Sequence, residues 1–355
     1  MQMGVSAMKK ICSTKRIYSF SYLRVAACLA IILLHTVFAA NVFFADTLTE
    51  SQNVISRMIE NCMMWAVPSF LMITGALLLD LQKKITFRKL FRRYILRMLL
   101  VLLLFCMIFR VFDMIMDGEE ITIVSFLRGF YEFFVGKSWG HLWYLYLLIG
   151  LYLLLPFYKK IVKYSTDREL QYLVVVYTGF LSLLPMLNIW DINCGFYICT
   201  SLIYPLYLFC GYMIHEKILK INGMAALLLV VVSTVLIIGL TKVRWETNFE
   251  AMDELWGYSS ILVVAQTVGI FALADRWHIA GTGRVHRIVM KLDECSFGVY
   301  LIHMIFVRLI LRYMEFNPYE NGGILMFAAL IVGNFIVSFC ITWVLKKLPG
   351  FRRIL

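Results

Sequence analysis

Apolar residues in this chain come in long continuous runs rather than in the short alternating stretches of a soluble domain. A helix that crosses a bilayer needs roughly 20 predominantly apolar residues. Ten candidate spans meet or approach that length: Val25–Phe44, Met63–Leu79, Tyr94–Phe112, Leu142–Tyr158, Leu170–Leu187, Phe196–Ile214, Gly223–Thr241, Gly257–Ala274, Ser296–Leu311 and Gly323–Leu345. The pattern predicts an all-α fold, a polytopic membrane helical bundle of about ten transmembrane helices. The connections are short, the longest being Asp113–Gly140, Lys242–Trp256 and Asp275–Cys295. Within the first of these, the apolar residues of Ile121–Phe134 predict a helix lying along the membrane interface.

Composition agrees with the pattern. The 355 residues are 61% hydrophobic and 16% charged, against about 25% charged in ordinary soluble domains. Charge is sorted by segment. Most of the 34 Lys and Arg lie beside Arg24, in Lys83–Arg97, Lys159–Arg168, Lys217–Lys220 and Arg276–Lys291, and after Leu345. Most of the 22 acidic residues lie in the alternate segments. This is the positive-inside asymmetry, and it assigns both termini to the cytoplasm. Residues 1–16 are then a cytoplasmic segment, 17–345 a transmembrane domain and 346–355 a cytoplasmic tail. The net charge of +12 suits an anionic lipid surface, so a nucleic-acid partner is not expected.

Several function classes recede. No Asp or Glu falls in the core of any candidate span, whereas proton-coupled pumps and many transporters carry such carboxylates. The nine cysteines form no CxxC pair, so no metal site is expected, and Cys62 and Cys194 have only weak grounds for a disulfide. No P-loop or dinucleotide fingerprint is present.

The candidate chemistry lies in the first span, where Arg24 and His35 interrupt an apolar run. Eleven residues of α-helix advance about 16 Å in about three turns, which puts both on one face. Ionisable groups in a span are costly and mark candidate sites. His35 reads either as an interhelical hydrogen-bonding group or as a general base near neutral pH. His141, before Trp143 and Tyr144, reads as an interfacial belt residue or an approach to a site. Ser296, Tyr300 and His303 share one helical face. His215, His278 and His286 fall in basic segments and read as solvated or lipid-facing. Arg24 and the basic run containing Arg88, Arg92, Arg93 and Arg97 would suit an anionic cosubstrate whose reactive end reaches His35. Coenzyme A has that form, with phosphates at one end and a thioester at the other.

Several segments together resemble the acyltransferase-3 family of integral-membrane O-acyltransferases. Arg24 and His35 reproduce the family's Arg, ten residues, then His. Pro68 to Gly75 is similar to its Pro-Phe-Phe-x-x-Ser-Gly block, Arg88–Arg97 to its basic loop, and His141-Leu142-Trp143-Tyr144-Leu145 with Tyr152 and Pro156 to a third block. Tyr204 to Tyr212 resembles a fourth, and Ser296, Tyr300 and His303 match a late Ser-x-x-x-Tyr-x-x-His block. Two departures stand out. Ser21 replaces an Asp three residues before the Arg, which removes one ion-pair partner for Arg24. Arg93 and Arg97 are four apart rather than three.

The resemblance implies transfer of an acyl group, acetyl foremost, from cytoplasmic acyl-CoA to a hydroxyl of an envelope glycan or lipid-linked sugar, at the bacterial cytoplasmic membrane. It implies His35 and Arg24 as catalytic residues. Arg24, Arg88, Arg92, Arg93 and Arg97 would bind the donor, and His141, Trp143, Tyr144, Ser296, Tyr300 and His303 the acceptor. No tightly bound cofactor is expected. The rival expectation is a transporter or flippase for a glycolipid or small polar solute. A third is a binding or sensory membrane module that keeps the fold without its chemistry.

Overall fold

The structure, a computed structural model, describes residues 16–120, 122–190, 203–244 and 256–355. The described elements are helical. In chain order they are α1 (Tyr18–Phe43), α2 (Glu50–Cys62), α3 (Ala66–Leu78), α4 (Leu96–Met116), α5 (Ile123–Val135), α6 (Trp143–Tyr164), α7 (Asp167–Thr178), α8 (Ile203–His215), α9 (Gly223–Arg244), α10 (Ile261–Arg276), α11 (Arg284–Arg308), α12 (Ile324–Leu345) and α13 (Pro349–Ile354). A π-helical stretch, Leu90–Ile95, leads into α4, another, Leu309–Tyr313, follows α11, and a 3-10 turn, Gly140–Leu142, opens α6.

Among the described residues, eight helical segments are long and apolar enough to cross a membrane. They correspond to eight of the ten expected spans. The other two appear as shorter helices, the 13-residue α8 and the 16-residue α10. Part of the expected Phe196–Ile214 span lies outside the described residues, as does Cys194; Cys62 is a free thiol.

Two spans begin far upstream of where the apolar pattern put them, for one physical reason. The second runs Glu50–Leu78 rather than from Met63, because polar residues of α2 find hydrogen-bond partners on other elements inside the bundle. Asn41 donates to Glu60 at 2.6 Å, the Ser56 hydroxyl lies 2.7 Å from that of Tyr319, and Asn61 donates to Thr241 at 3.2 Å. The ninth runs Arg284–Tyr313 rather than from Ser296, and its buried Asp293 is paired by arginines of the N-terminal segment. The expectation of no carboxylate within the spans is thereby corrected: Glu60 and Asp293 are both buried inside membrane-length helices.

Helix α1 threads the middle of the bundle, packing on α11, α3, α2 and α12. The tightest crossing joins α3 to α8. A Cβ on Gly75 would lie 2.0 Å from the Leu208 carbonyl oxygen, and one on Gly211 2.1 Å from that of Met72. The two backbones touch reciprocally, the small-residue packing that holds membrane helices together where no hydrophobic force drives them. Helix α5 lies where an interfacial helix was expected. It packs Gly129 against Met107 and Arg110 of α4 and leaves Ile123, Val124 and Phe134 exposed. The expected tail forms α13, which docks on α4 through Arg97.

The α3–α8 contact leaves no room for a side chain, so Gly211→Leu is expected to cost more than the roughly 1–3 kcal/mol typical of overpacking. Gly239→Ala in α9, where an added Cβ meets nothing within 4 Å, is expected to leave stability equal or slightly raised. The yield of monodisperse protein and its thermal unfolding midpoint measure both.

Candidate active site

Helices α1 and α11 run side by side in the same direction, and two polar rungs join them. At one end Arg24 Nη1 donates to both carboxylate oxygens of Asp293 at 3.0 Å. At the other, His35 Nδ1 lies 2.8 Å from His303 Nε2, with the two rings stacked 7° from parallel and 5.1 Å apart. The spacings match: eleven residues from Arg24 to His35 and ten from Asp293 to His303, or about 15–16 Å on each helix. Between the rungs, the Cys28 thiol contacts the Ser296 carbonyl at 3.6 Å. Asp293, Ser296, Tyr300 and His303 form one stripe of α11, and that stripe faces the stripe that carries Arg24 and His35.

The hydrogen-bond chain assigns the protons. His303 Nδ1 lies 2.6 Å from the Tyr300 carbonyl. A carbonyl only accepts, so Nδ1 carries the hydrogen. In the neutral ring Nε2 is then an acceptor, and the hydrogen of the His35–His303 contact belongs to His35 Nδ1. This leaves the lone pair of His35 on Nε2. His303 is fully buried, whereas His35 keeps some accessible surface. The main chain is held as well, since Asn334 donates to the His303 carbonyl at 3.1 Å.

A third histidine completes the cluster. His141, on the 3-10 turn before α6, has its ring 6.3 Å from that of His35 and 5.6 Å from that of His303. It is buried rather than set in an interfacial belt. Its Nε2 donates to the Leu301 carbonyl at 3.3 Å, and the Tyr300 hydroxyl donates to its main-chain oxygen. Its Nδ1 is buried without a hydrogen-bond partner. Behind it, Trp139 stacks on Phe109 at 4.1 Å and donates to Asp113 at 2.7 Å, while Arg308 binds Asp113 at 3.0 Å and lies over the Trp139 ring at 4.2 Å. Among the described residues no group of three or more His, Cys, Asp or Glu could hold a metal ion.

A cavity of about 330 Å³ runs along these helices. Arg24, Thr74, Lys83, Tyr144, Ser296 and Tyr300 contribute its polar lining. Lys83 lies in the connection after α3, where burial, and after it the neighbouring Lys89, push its ammonium below the ordinary lysine range against the pull of Asp80. Tyr94 and Tyr152, edge to face at 5.5 Å, line this cavity and also a second pocket of about 410 Å³. The second pocket holds Arg92, Arg93, Arg97 and Arg353. The two spaces are therefore neighbours across a tyrosine pair.

The residues singled out in the sequence divide accordingly. His35, His141 and His303 meet in the histidine cluster, Tyr300 packs on it, and Tyr144, Tyr300, Arg24 and Ser296 line the adjoining cavity, which the three histidines do not line. Arg92, Arg93 and Arg97 share the basic pocket. Arg88 is exposed and does not line it. Trp143 turns away to pack on Tyr204 and Tyr258. The remaining histidines differ among themselves: His215 pairs with Asp275 at 2.6 Å, His286 is buried edge-on against Tyr18, and His278 is exposed.

Sequence reasoning missed Asp293, Tyr94 and Arg353 as site residues; Tyr152 figured only within a motif and Lys83 only at the start of the basic run. For Asp293 a signal existed, because it lies three residues before Ser296 on the same helical face. It also changes the expectation for Arg24. The carboxylate absent at Ser21 is supplied by α11 instead, and Ser21 accepts from Arg16, which also binds Asp293.

Comparison with known proteins adds the family. No curated protein and no solved structure matches this chain. A family profile described as an acyltransferase domain matches residues 17–343, nearly the whole chain. That stretch runs from the turn before α1 to within the last turns of α12, and it takes in both rungs, the cavity and the basic pocket except for Arg353. The chain therefore belongs to the acyltransferase-3 family of membrane acyltransferases.

Proposed function

We propose that this chain moves an acyl group, acetyl foremost, from acyl-CoA to a hydroxyl of an envelope glycan or lipid-linked sugar, with His35 as general base. The observation that carries the reading is the free lone pair on His35 Nε2, fixed by the His35–His303–Tyr300 chain. The donor's phosphates would bind at the arginines of the basic pocket. Its arm would pass Tyr94 and Tyr152 into the cavity beside Arg24. Positive-inside charge sorting supports a cytoplasmic position for that pocket, with both termini on the same side of a bacterial cytoplasmic membrane.

In the transfer, the acceptor oxygen attacks the thioester carbonyl as its proton passes to His35 Nε2. The carbon–sulfur bond breaks, and the imidazolium returns its proton to the departing CoA thiolate. His303 serves as a positioning residue, because its Nε2 accepts from His35 Nδ1 and holds the reactive tautomer. The guanidinium of Arg24 is partly neutralised by Asp293, which suits it to orient the donor rather than to grip a full phosphate. Tyr144, Tyr300 and Ser296 offer hydroxyls along the cavity, and His141 lies beside the base where the acceptor would end.

His35→Ala is expected to lower acyl transfer by about 10²–10⁴-fold, the range of a positioned general base, while acyl-CoA still binds. Purified protein in nanodiscs, assayed for transfer of radiolabelled acetyl to an envelope glycan fraction, measures this. Full activity in that variant would exclude His35 as the base. His303→Ala is expected to cost about 10–100-fold and to move the acid limb of the pH–rate profile. His303→Gln retains an acceptor for His35 Nδ1–H and is expected to recover part of that loss. Equal losses in the two variants would argue against tautomer control.

A further inference from the structure

The basic pocket contains a cation from a part of the chain that the family match does not reach. Arg353, on α13, lines it together with Arg92, Arg93 and Arg97. No Asp or Glu lines this pocket, so four guanidiniums converge on about 410 Å³ with no acidic side chain among them. Like charges gathered this way repel one another, and a polyanion between them reverses the sign of that interaction.

The four arginines are not equivalent. Arg97 spends its Nε on the Ile354 carbonyl at 2.9 Å and one Nη2 hydrogen on the Leu355 main-chain oxygen at 3.2 Å. Two of the faces of its fork are therefore committed to α13. Arg97 acts as a bolt that docks the last helix, and the docked helix presents Arg353 to the pocket. Arg92 and Arg93 come from the π-helical turn Leu90–Ile95 on the opposite wall. Unlike Arg97, none of Arg92, Arg93 and Arg353 makes a hydrogen bond or ion pair with another described residue. Their donors are free for a ligand.

We propose that Arg353 is a donor-binding residue, which grips the phosphates of acyl-CoA together with Arg92 and Arg93, and that α13 is a wall of the donor site. The proposal rests on the acyl-CoA reading above. Its chemistry is that of a polyphosphate held by several guanidinium forks. The tyrosine pair Tyr94 and Tyr152 borders both spaces, so an arm that passes it would continue into the cavity that Arg24 lines.

The test is equilibrium binding to the full chain in nanodiscs of zwitterionic lipid, so that anionic headgroups do not compete. The probes are CoA, 3′-dephospho-CoA and inorganic pyrophosphate. Arg353→Gln is expected to weaken CoA binding by about 10–100-fold, the loss of one charged hydrogen-bonding group. Arg353→Lys is expected to recover part of it. Arg352→Gln, which alters an exposed neighbour outside the pocket, is expected to bind as the unaltered chain does. Unfolding midpoints identify any variant that fails to fold, and the lysine variant then decides. CoA binding unchanged in Arg353→Gln, with binding weakened in Arg92→Gln or Arg93→Gln, would overturn the role of Arg353 and leave the acyl-CoA reading intact. If the unaltered chain binds pyrophosphate but not CoA, and Arg353→Gln loses pyrophosphate, the anion site stands and the acyl-CoA reading falls.

Discussion

The structure depends on one helix pairing, α1 against α11, made through two polar rungs of matched spacing. Either rung alone would place ionisable groups in an apolar interior at high cost. Paired, Arg24 and Asp293 partly neutralise each other, and His35 Nδ1 and His303 Nε2 satisfy each other. The registry is self-checking. A shift of either helix by one turn, about 5.4 Å, would break both rungs and bury unpartnered groups. The geometry that makes the pairing stable also fixes which nitrogen of His35 keeps its lone pair, so fold and candidate chemistry share one set of bonds.

The other helices are arranged around that pair. The reciprocal glycine contact of α3 and α8 brings two backbones to touching distance, which holds Phe70 and Thr74 of α3 on the wall of the inner cavity. Helix α6 adds Tyr144 and Tyr152, and the 3-10 turn before it tucks His141 against His303. On the far side of His141, the Trp139, Asp113 and Arg308 contacts tie α4 to α11. Helices α9 and α12, by contrast, expose apolar residues such as Val235, Ile324 and Val332, as helices do when they face lipid.

Much of this was legible in residue order. Apolar run length located eight spans, and the shared face of Arg24 and His35 emerged from helical periodicity alone. The spans that were misjudged share a cause. Hydropathy scores each residue singly, and α2 and the start of α11 carry polar residues whose partners lie far away in sequence. Asn61 is satisfied by Thr241, Ser56 by Tyr319 and Asp293 by Arg16 and Arg24. A polar residue looks like a loop until its partner is known. Ile121, where the expected Ile121–Phe134 helix begins, lies outside the described residues; α5 starts at Ile123, where Thr122 caps it by accepting from the Ser125 N–H.

Residue order by itself determined the membrane class, the sorting of charge and the presence of one costly Arg–His stripe, because these follow from local periodicity and composition. Tertiary structure alone decided what that stripe meets. It brought His303 and His141 to His35 and supplied from α11 the carboxylate that Ser21 lacks. It also carried Arg353 from the end of the chain to the basic pocket. Each of these joins residues more than 100 positions apart, and no local pattern encodes a contact whose partners are set by how whole helices pack.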